Sequence, residues 1–435
     1  MSDAIPHDAP DARRMNLVLF LLGFSVFINY IDRSNISIAA PLIEGELGLS
    51  ASRIGLLLSA FFWTYACLQI PAGWLVDRFD VKWVFALGFC AWSVATAMTG
   101  ILHGFISLLV IRVIVGAGES IAYPSYGKIL AEYFQEERRG VANGILAGGS
   151  ALGPAVGLLV GGTLVARFGW RPFFVTVGLA SLLWLVPWLA WMPRRRKNAP
   201  PVTGQVMEQG AGILEIVQQR SMWGTCIGLF SANYYLYFLL TWLPFYLVRG
   251  RGLSMERMGR VGGFVFLLAA ASALISGKLS DRWVEAGVSP TRVRKGFMVV
   301  GKTGVGVFLV ASAVAPDSIV VWMLAFTALF LGMGISNIWA ITQTLAGPLV
   351  AGQWVGVQNF MGNLAGAVGP ALTGFLVERT GHYQWPFFVA AAVAWVGALS
   401  WIFVVGPVEP VKWCRRMSGA ESGGLGYPAP DPPNP

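Results

Sequence analysis

Twelve stretches of this sequence stay apolar for roughly 20 residues or more, the length a helix needs to cross a lipid bilayer. They run 17–40, 53–74, 82–102, 105–127, 140–166 and 172–192, then 222–247, 258–279, 296–315, 318–345, 353–377 and 384–406. Hydrocarbon offers no water to backbone N–H and C=O groups, so such runs are confined to helices that satisfy their own hydrogen bonds. The expected fold is an all-α membrane protein with twelve transmembrane helices. Composition agrees, because 55% of the 435 residues are hydrophobic and 12% are charged, about half the charge of a soluble domain. Disorder, a disulfide scaffold and a nucleic-acid-binding protein are excluded. The net charge of +9 is spread in short clusters between the apolar runs and forms no stripe.

The runs divide the chain. Residues 1–16 are polar and lack the short apolar core of a cleaved signal peptide, so they are expected to be a disordered tail before an uncleaved first helix. Residues 17–192 form one six-helix bundle and 222–408 a second. Between them, 193–221 is a linker containing Arg194, Arg195, Arg196, Lys197, Pro200 and Pro201, and 409–435 is a Pro- and Gly-rich tail expected to be disordered. With both termini inside, nineteen Lys and Arg residues fall in inner segments and eight in outer loops. By the positive-inside bias the termini are cytoplasmic, and a multi-pass protein of the inner (plasma) membrane is expected.

The halves repeat. Gly116-Ala117-Gly118 corresponds to Gly332-Met333-Gly334, Gly140 and Asn143 to Gly356 and Asn359, and Gly153-Pro154 to Gly369-Pro370, all at an offset of 216. Asp77-Arg78 after the second run corresponds to Asp281-Arg282 after the eighth, and Trp170-Arg-Pro-Phe-Phe174 to Trp385-Pro-Phe-Phe388. Six spans per repeat make the repeats parallel, an arrangement that places a substrate site at the midplane between two halves that rock.

Ionisable groups at the bilayer centre cost about 2.5–3.5 kcal/mol each on insertion scales and mark function by default. Four matter: Asp32, Arg33, Arg112 and Glu119. Arg112 and Glu119 are two helical turns apart on one face, about 10 Å along the axis, and Asp32 from the first helix could bridge them. The second repeat has Ala328 and Ile335 at the matching positions, so packing there does not require charge. Two acids beside two bases suit a site that exchanges protons while holding an anion. The second half offers neutral groups instead: Tyr234, Ser336, Trp339, Gln343 and Asn359. Tyr65, Tyr234, Tyr237 and Trp339 are cavity candidates, although about half of such aromatics serve packing.

Gly73-Trp-Leu-Val-Asp77-Arg78-Phe-Asp80-Val-Lys82 resembles the loop between helices 2 and 3 of major facilitator superfamily transporters, with Asp80 where that family usually has glycine. The resemblance implies gate-bracing roles for Asp77 and Arg78, and by repeat for Asp281 and Arg282. Asn29-Tyr30-Ile-Asp32-Arg33-Ser-Asn-Ile-Ser37, Arg112-x6-Glu119 and Tyr235-Leu-Tyr-Phe-Leu-Leu-Thr241-Trp242-Leu-Pro244 are similar to the anion:cation symporter family. That family includes bacterial sugar-acid importers, human sialin and the vesicular glutamate transporters. The likeness implies Asp32 and Glu119 as proton-coupling acids, Arg33 as the group meeting the substrate carboxylate and Arg112 as the partner of Glu119. It further implies substrate contacts from Tyr30, Tyr65, Ser336, Trp339 and Asn359. Ser150 stands where sugar-acid carriers often have a larger amide.

Other patterns point nowhere. Gly296-x4-Gly301-Lys302-Thr303 spells a phosphate-binding loop, but that chemistry needs a strand and exposed amides, and here the run continues as a membrane helix with Lys302 snorkelling to the interface. Gly149, Gly153, Gly157, Gly362, Gly366 and Gly369 suit close helix packing, and Trp184, Trp188 and Trp191 suit an aromatic belt. The three histidines lie outside the apolar runs, and the four cysteines have no metal-ligand spacing. No metal, no cofactor other than the coupling proton, no nucleic-acid partner and no enzyme chemistry are expected. The sequence therefore reads as a monomeric, proton-coupled importer of a small organic anion, a hexuronate, aldonate or aldarate, working by alternating access. Exchange or uniport without proton coupling, or another carboxylate, stays open.

Overall fold

The computed structural model describes residues 12–134, 136–193, 213–411 and 413. Within them run twelve helices long and apolar enough to cross a membrane. They are α1 Arg13–Leu47, α2 Ala51–Arg78, α3 Val81–Thr99, α4 Phe105–Tyr133, α5 Val141–Phe168 and α6 Trp170–Trp191. The second half holds α7 Arg220–Gly250, α8 Met255–Glu285, α9 Pro290–Val314, α10 Val320–Gly347, α11 Val350–Thr380 and α12 Gln384–Val404. The chain is a multi-pass membrane protein. Its first helix reaches back into the stretch expected to be a tail, and a short helix, Ile213–Val217, precedes α7. The rest of both tails and of the linker, including Arg194 to Lys197, Pro200, Pro201 and Cys414, lies outside the described residues.

Ends and turns follow local chemistry. Ser50 caps α2 by accepting from Arg53 N, and Asp80 caps α3 by accepting from Lys82 N at 3.0 Å. Asp80 has φ −65°, so the turn needs no glycine there and gains a side-chain cap instead. Gly347, at φ 68°, turns the chain between α10 and α11, a conformation open to glycine at little cost. Within the first bundle α5 lies close on α1, with a Cβ on Gly153 coming 2.5 Å from that of Tyr30. Residues 296–303 sit inside continuous α9, so the phosphate-loop spelling corresponds to no loop.

The two six-helix bundles meet along α2–α11 and α5–α8, with α1 against α7. They close at the side away from the termini. There Gly55 of α2 is pressed to α11, where a Cβ would stand 2.6 Å from Pro370 O, and Gly162 of α5 meets Gly259 of α8. Polar links cross at the same level. Arg249, in the wide last turn of α7, bonds Glu44 at 2.6 Å and the Pro41 carbonyl at 2.9 Å. Glu378 of α11 accepts from Ser52 N at 2.8 Å, so a carboxylate of the second bundle caps the first turn of α2. Towards the terminus side the helices part: Gly73, Gly144, Gly148, Gly352 and Gly356 have nothing within 4 Å of where a Cβ would be.

Candidate functional site

The midplane charges converge because helix period places them on facing surfaces. Asp32, Arg33, Arg112 and Glu119 are 2%, 4%, 5% and 0% exposed. Arg33 donates from Nε to Glu119 Oε2 at 3.2 Å. Its guanidinium lies 4.8, 5.2 and 4.4 Å from the ring centres of Tyr30, Phe61 and Tyr65, and its Nη2 is enclosed without a hydrogen-bond partner. An arginine with one nitrogen anchored, a second unpartnered and three aromatic rings around it is preorganised for a carboxylate. The rings also exclude water, which strengthens any charge pair formed there.

Arg112 differs from expectation. The resemblance pairs it with Glu119, but Glu119 bonds Arg33, and Arg112 instead lies 5.2 Å from the Phe61 ring with Nε unpartnered. Phe61 thus touches both guanidiniums, and an aromatic face accepts each without a formal charge. Arg112 still sits in the fields of Asp32 and Glu119, so it balances the cluster at a distance. Asp32, one residue before Arg33 and about 100° round the helix, accepts from Asn35 Nδ2 of its own helix at 2.9 Å. Tyr30 meets Tyr123 of α4, hydroxyl to hydroxyl, at 3.2 Å.

Near Arg33, Tyr237 begins a polar chain in the second bundle that reaches back to α2. Tyr237 packs on Phe62, ring centres 4.5 Å apart, and donates to Asn363 Oδ1 at 3.0 Å. Asn363 donates to the Asn359 carbonyl at 2.9 Å, and Asn359 Nδ2 donates to Gln69 Oε1 of α2 at 3.2 Å. Asn359 is thereby placed between the bundles. Gln69 and Asn363 were missed, although an amide in an otherwise apolar run and an Asn four residues after Asn359 were signals for both. Tyr234 is buried in α7 beside Gly369. Ser336 bonds within α10, to Met333 O and Asn337 Nδ2, and Trp339 is 39% exposed. Neither joins the Arg33 cluster here. Ser150 bonds its own helix at Ala147 O.

Asp77 pairs with Lys128 of α4 at 3.0 Å, and Arg78 lies 5.5 Å from the Trp74 ring. Asp281 and Arg282 are exposed at the end of α8.

Two expectations are corrected. Trp184 and Trp188 are no interfacial belt: they stack against Phe89 and each other, and their indoles donate to Leu21 O and Lys82 O inside the bundle. Trp191 alone of the three is exposed. Lys302 does not snorkel either. It is 0% exposed and donates to Gly228 O and Ser231 Oγ of α7, both at 2.9 Å, because a backbone carbonyl and a hydroxyl within reach replace water.

Comparison with known proteins places this architecture. The chain is 32% identical over 402 residues to a probable sulfoacetate transporter of Cupriavidus necator, covering 89% of this chain and 93% of that one. It is 31% identical to a hexuronate transporter of Bacillus subtilis, covering 90% and 94%. A bacterial homolog of the human lysosomal transporter Spinster, solved in an inward-facing and unoccupied conformation, shares the fold with a TM-score of 0.78 at 20% identity, over 91% of this chain and 97% of that one. Residues 22–289 match the Major Facilitator Superfamily. Helix count, paired bundles and sequence agree: this chain is a transporter, not an enzyme, and belongs to the Major Facilitator Superfamily.

Proposed function

We propose that the protein imports a small organic anion, a hexuronate, aldonate or aldarate, together with protons by alternating access. The observation carrying this reading is the neutral cluster of two acids and two arginines with Arg33 half engaged by Glu119. A substrate carboxylate on Arg33 adds a negative charge to a site enclosed in apolar helices. A proton on Glu119 removes one and frees the guanidinium at the same time. Proton and anion therefore enter as a pair. Asp32 is the second coupling acid, Arg112 holds the charge balance, and Tyr30 and Tyr65 flank the carboxylate. Tyr234, Ser336, Trp339 and Asn359 of the second bundle read the rest of the molecule.

With the terminus side cytoplasmic, the described state is closed to the outside and open to the cytoplasm. Asp77, Arg78, Asp281 and Arg282 then brace the cytoplasmic gate when it shuts, and one copy of the chain suffices. The relatives' names, hexuronate and sulfoacetate, support an acidic substrate. Ser150 favours a second reading, a shorter carboxylate or sulfonate, since its hydroxyl is spent on its own helix and offers little to a sugar.

The test is uptake into proteoliposomes of D-glucuronate, D-galactonate, D-glucarate and sulfoacetate, with and without an acid-outside gradient. Accumulation of one of them that collapses with the gradient is expected. Uptake indifferent to the gradient would leave an exchanger or uniporter.

A further inference from the structure

Asp32 faces a partner that neither the sequence motifs nor the charge count includes. The indole N–H of Trp92, on α3, lies close to the Asp32 carboxyl. Trp92 is fully buried, and its Nε1 and Asp32 Oδ2 are both enclosed with no formed hydrogen bond in this conformation. The other oxygen, Oδ1, is taken by Asn35. Trp92 is held from behind: its ring packs on Phe89 at 4.4 Å and on Phe85 at 6.2 Å. Gly118 of α4 leaves it room, since a Cβ there would lie 3.0 Å from that of Trp92. Charged groups acting on Asp32 include Arg112 and Glu119 of α4, and α3 contributes the Trp92 indole.

An unpartnered donor and an unpartnered acceptor, both buried and close to one another, are costly unless they pair in some state of the molecule. We propose that Trp92 is a positioning residue of the proton site, donating its indole N–H to the Asp32 carboxylate whenever that acid has released its proton. In the protonated state Oδ2 carries or shares the acid proton and the contact slackens, and in the ionised state it closes. The proton itself moves between Asp32 and water; the indole keeps its hydrogen throughout. The rings around Arg33 are Tyr30, Phe61 and Tyr65 rather than Trp92, so this contact tunes the proton without touching the anion.

The inference rests on the proton-coupled reading above and is tested separately from it. Gradient-driven uptake of radiolabelled D-glucuronate and D-galactonate is measured against external pH for the parent, Trp92→Phe and Trp92→Gln. Loss of a donor to a carboxylate makes the acid hold its proton more tightly, so the midpoint for Trp92→Phe moves upward by about one pH unit. Trp92→Gln, which keeps an N–H donor, returns the midpoint towards the parent. A purely structural role would scale the whole profile and leave its midpoint in place. The shift should also vanish when Trp92→Phe is made together with Asp32→Asn and the residual uptake is profiled. A pH-independent parent overturns the coupled reading itself. A pH-dependent parent whose midpoint Trp92→Phe shares overturns the role of Trp92, as does a shift that persists beside Asp32→Asn.

Discussion

The two bundles repeat the same helices and bury charge in different ways. In the first, four ionisable groups on α1 and α4 neutralise one another, with one short bond between Arg33 and Glu119 and several atoms left unpartnered. In the second, Lys302 is buried with a backbone carbonyl and a serine hydroxyl as its acceptors, and the positions matching Arg112 and Glu119 are Ala328 and Ile335. Equivalent helix packing is thus built with and without the acids. The first bundle's cluster is loosely satisfied, whereas the lysine of the second is fastened to α7. On the proposed reading, groups that exchange partners look unlike groups that hold a fold.

The largest effect should come from Glu119→Gln, which mimics the protonated acid. Accumulation driven by a pH gradient should fall to equilibration, while exchange of labelled for unlabelled substrate across the membrane persists. A gradient of one pH unit supports about tenfold accumulation per proton coupled, so the loss is easily read. A variant that concentrates substrate as the parent does would break the comparison at its centre.

Next comes Arg33→Lys. Lysine keeps the charge and loses the planar fork, so affinity for the anion should drop roughly tenfold while the melting temperature changes little. Equal affinity, measured by isothermal titration, would remove Arg33 from the site. Smaller again, Asn359→Ala and Trp339→Ala should reorder the preference among sugar acids by a few-fold, about the value of one hydrogen bond or one ring contact. Uptake of a substrate panel at two external pH values checks this. If pH dependence is lost and the preference order kept, the division of labour between bundles is mistaken.

The smallest expected change is in the pH profile of Lys302→Met. Its midpoint should match the parent, with the consequence confined to thermal stability, since Gly228 O and Ser231 Oγ lose a donor. A displaced midpoint would make Lys302 a third coupling group and abolish the contrast between the two bundles.

Much of this was legible before any coordinates. Twelve helices follow from run length, the paired bundles from the repeat, and the four charges from their cost in hydrocarbon. What was hidden is which side chain reaches which. Glu119 could meet Arg112 two turns below on its own helix or Arg33 across from it, and spacing along one helix cannot weigh the second option. Trp184 and Trp188 read as interfacial because position along the helix is visible and facing is not; their inward turn depends on carbonyls of α1 and α3. Lys302 was misplaced for the same reason, its acceptors lying more than 70 residues away. Gln69, Asn359, Asn363 and Tyr237 form a chain only after three helices, α2 of the first half and α7 and α11 of the second, are laid side by side.

The cap on α2 carries a further implication. Its first turn is completed by Glu378 from the opposite bundle, and Glu44 is likewise matched by Arg249 across the same seam. Any state in which that seam parts must hydrate the Ser52 amide, two carboxylates and a guanidinium, besides the small-residue surfaces around Gly55 and Gly259. Opening the far side is therefore a water-uptake reaction, and closing it expels solvent. Solutes excluded from protein surfaces, such as sucrose, favour the less hydrated form. On the alternating-access reading proposed above, the balance between the two faces of this transporter should accordingly respond to osmotic conditions as well as to its substrates.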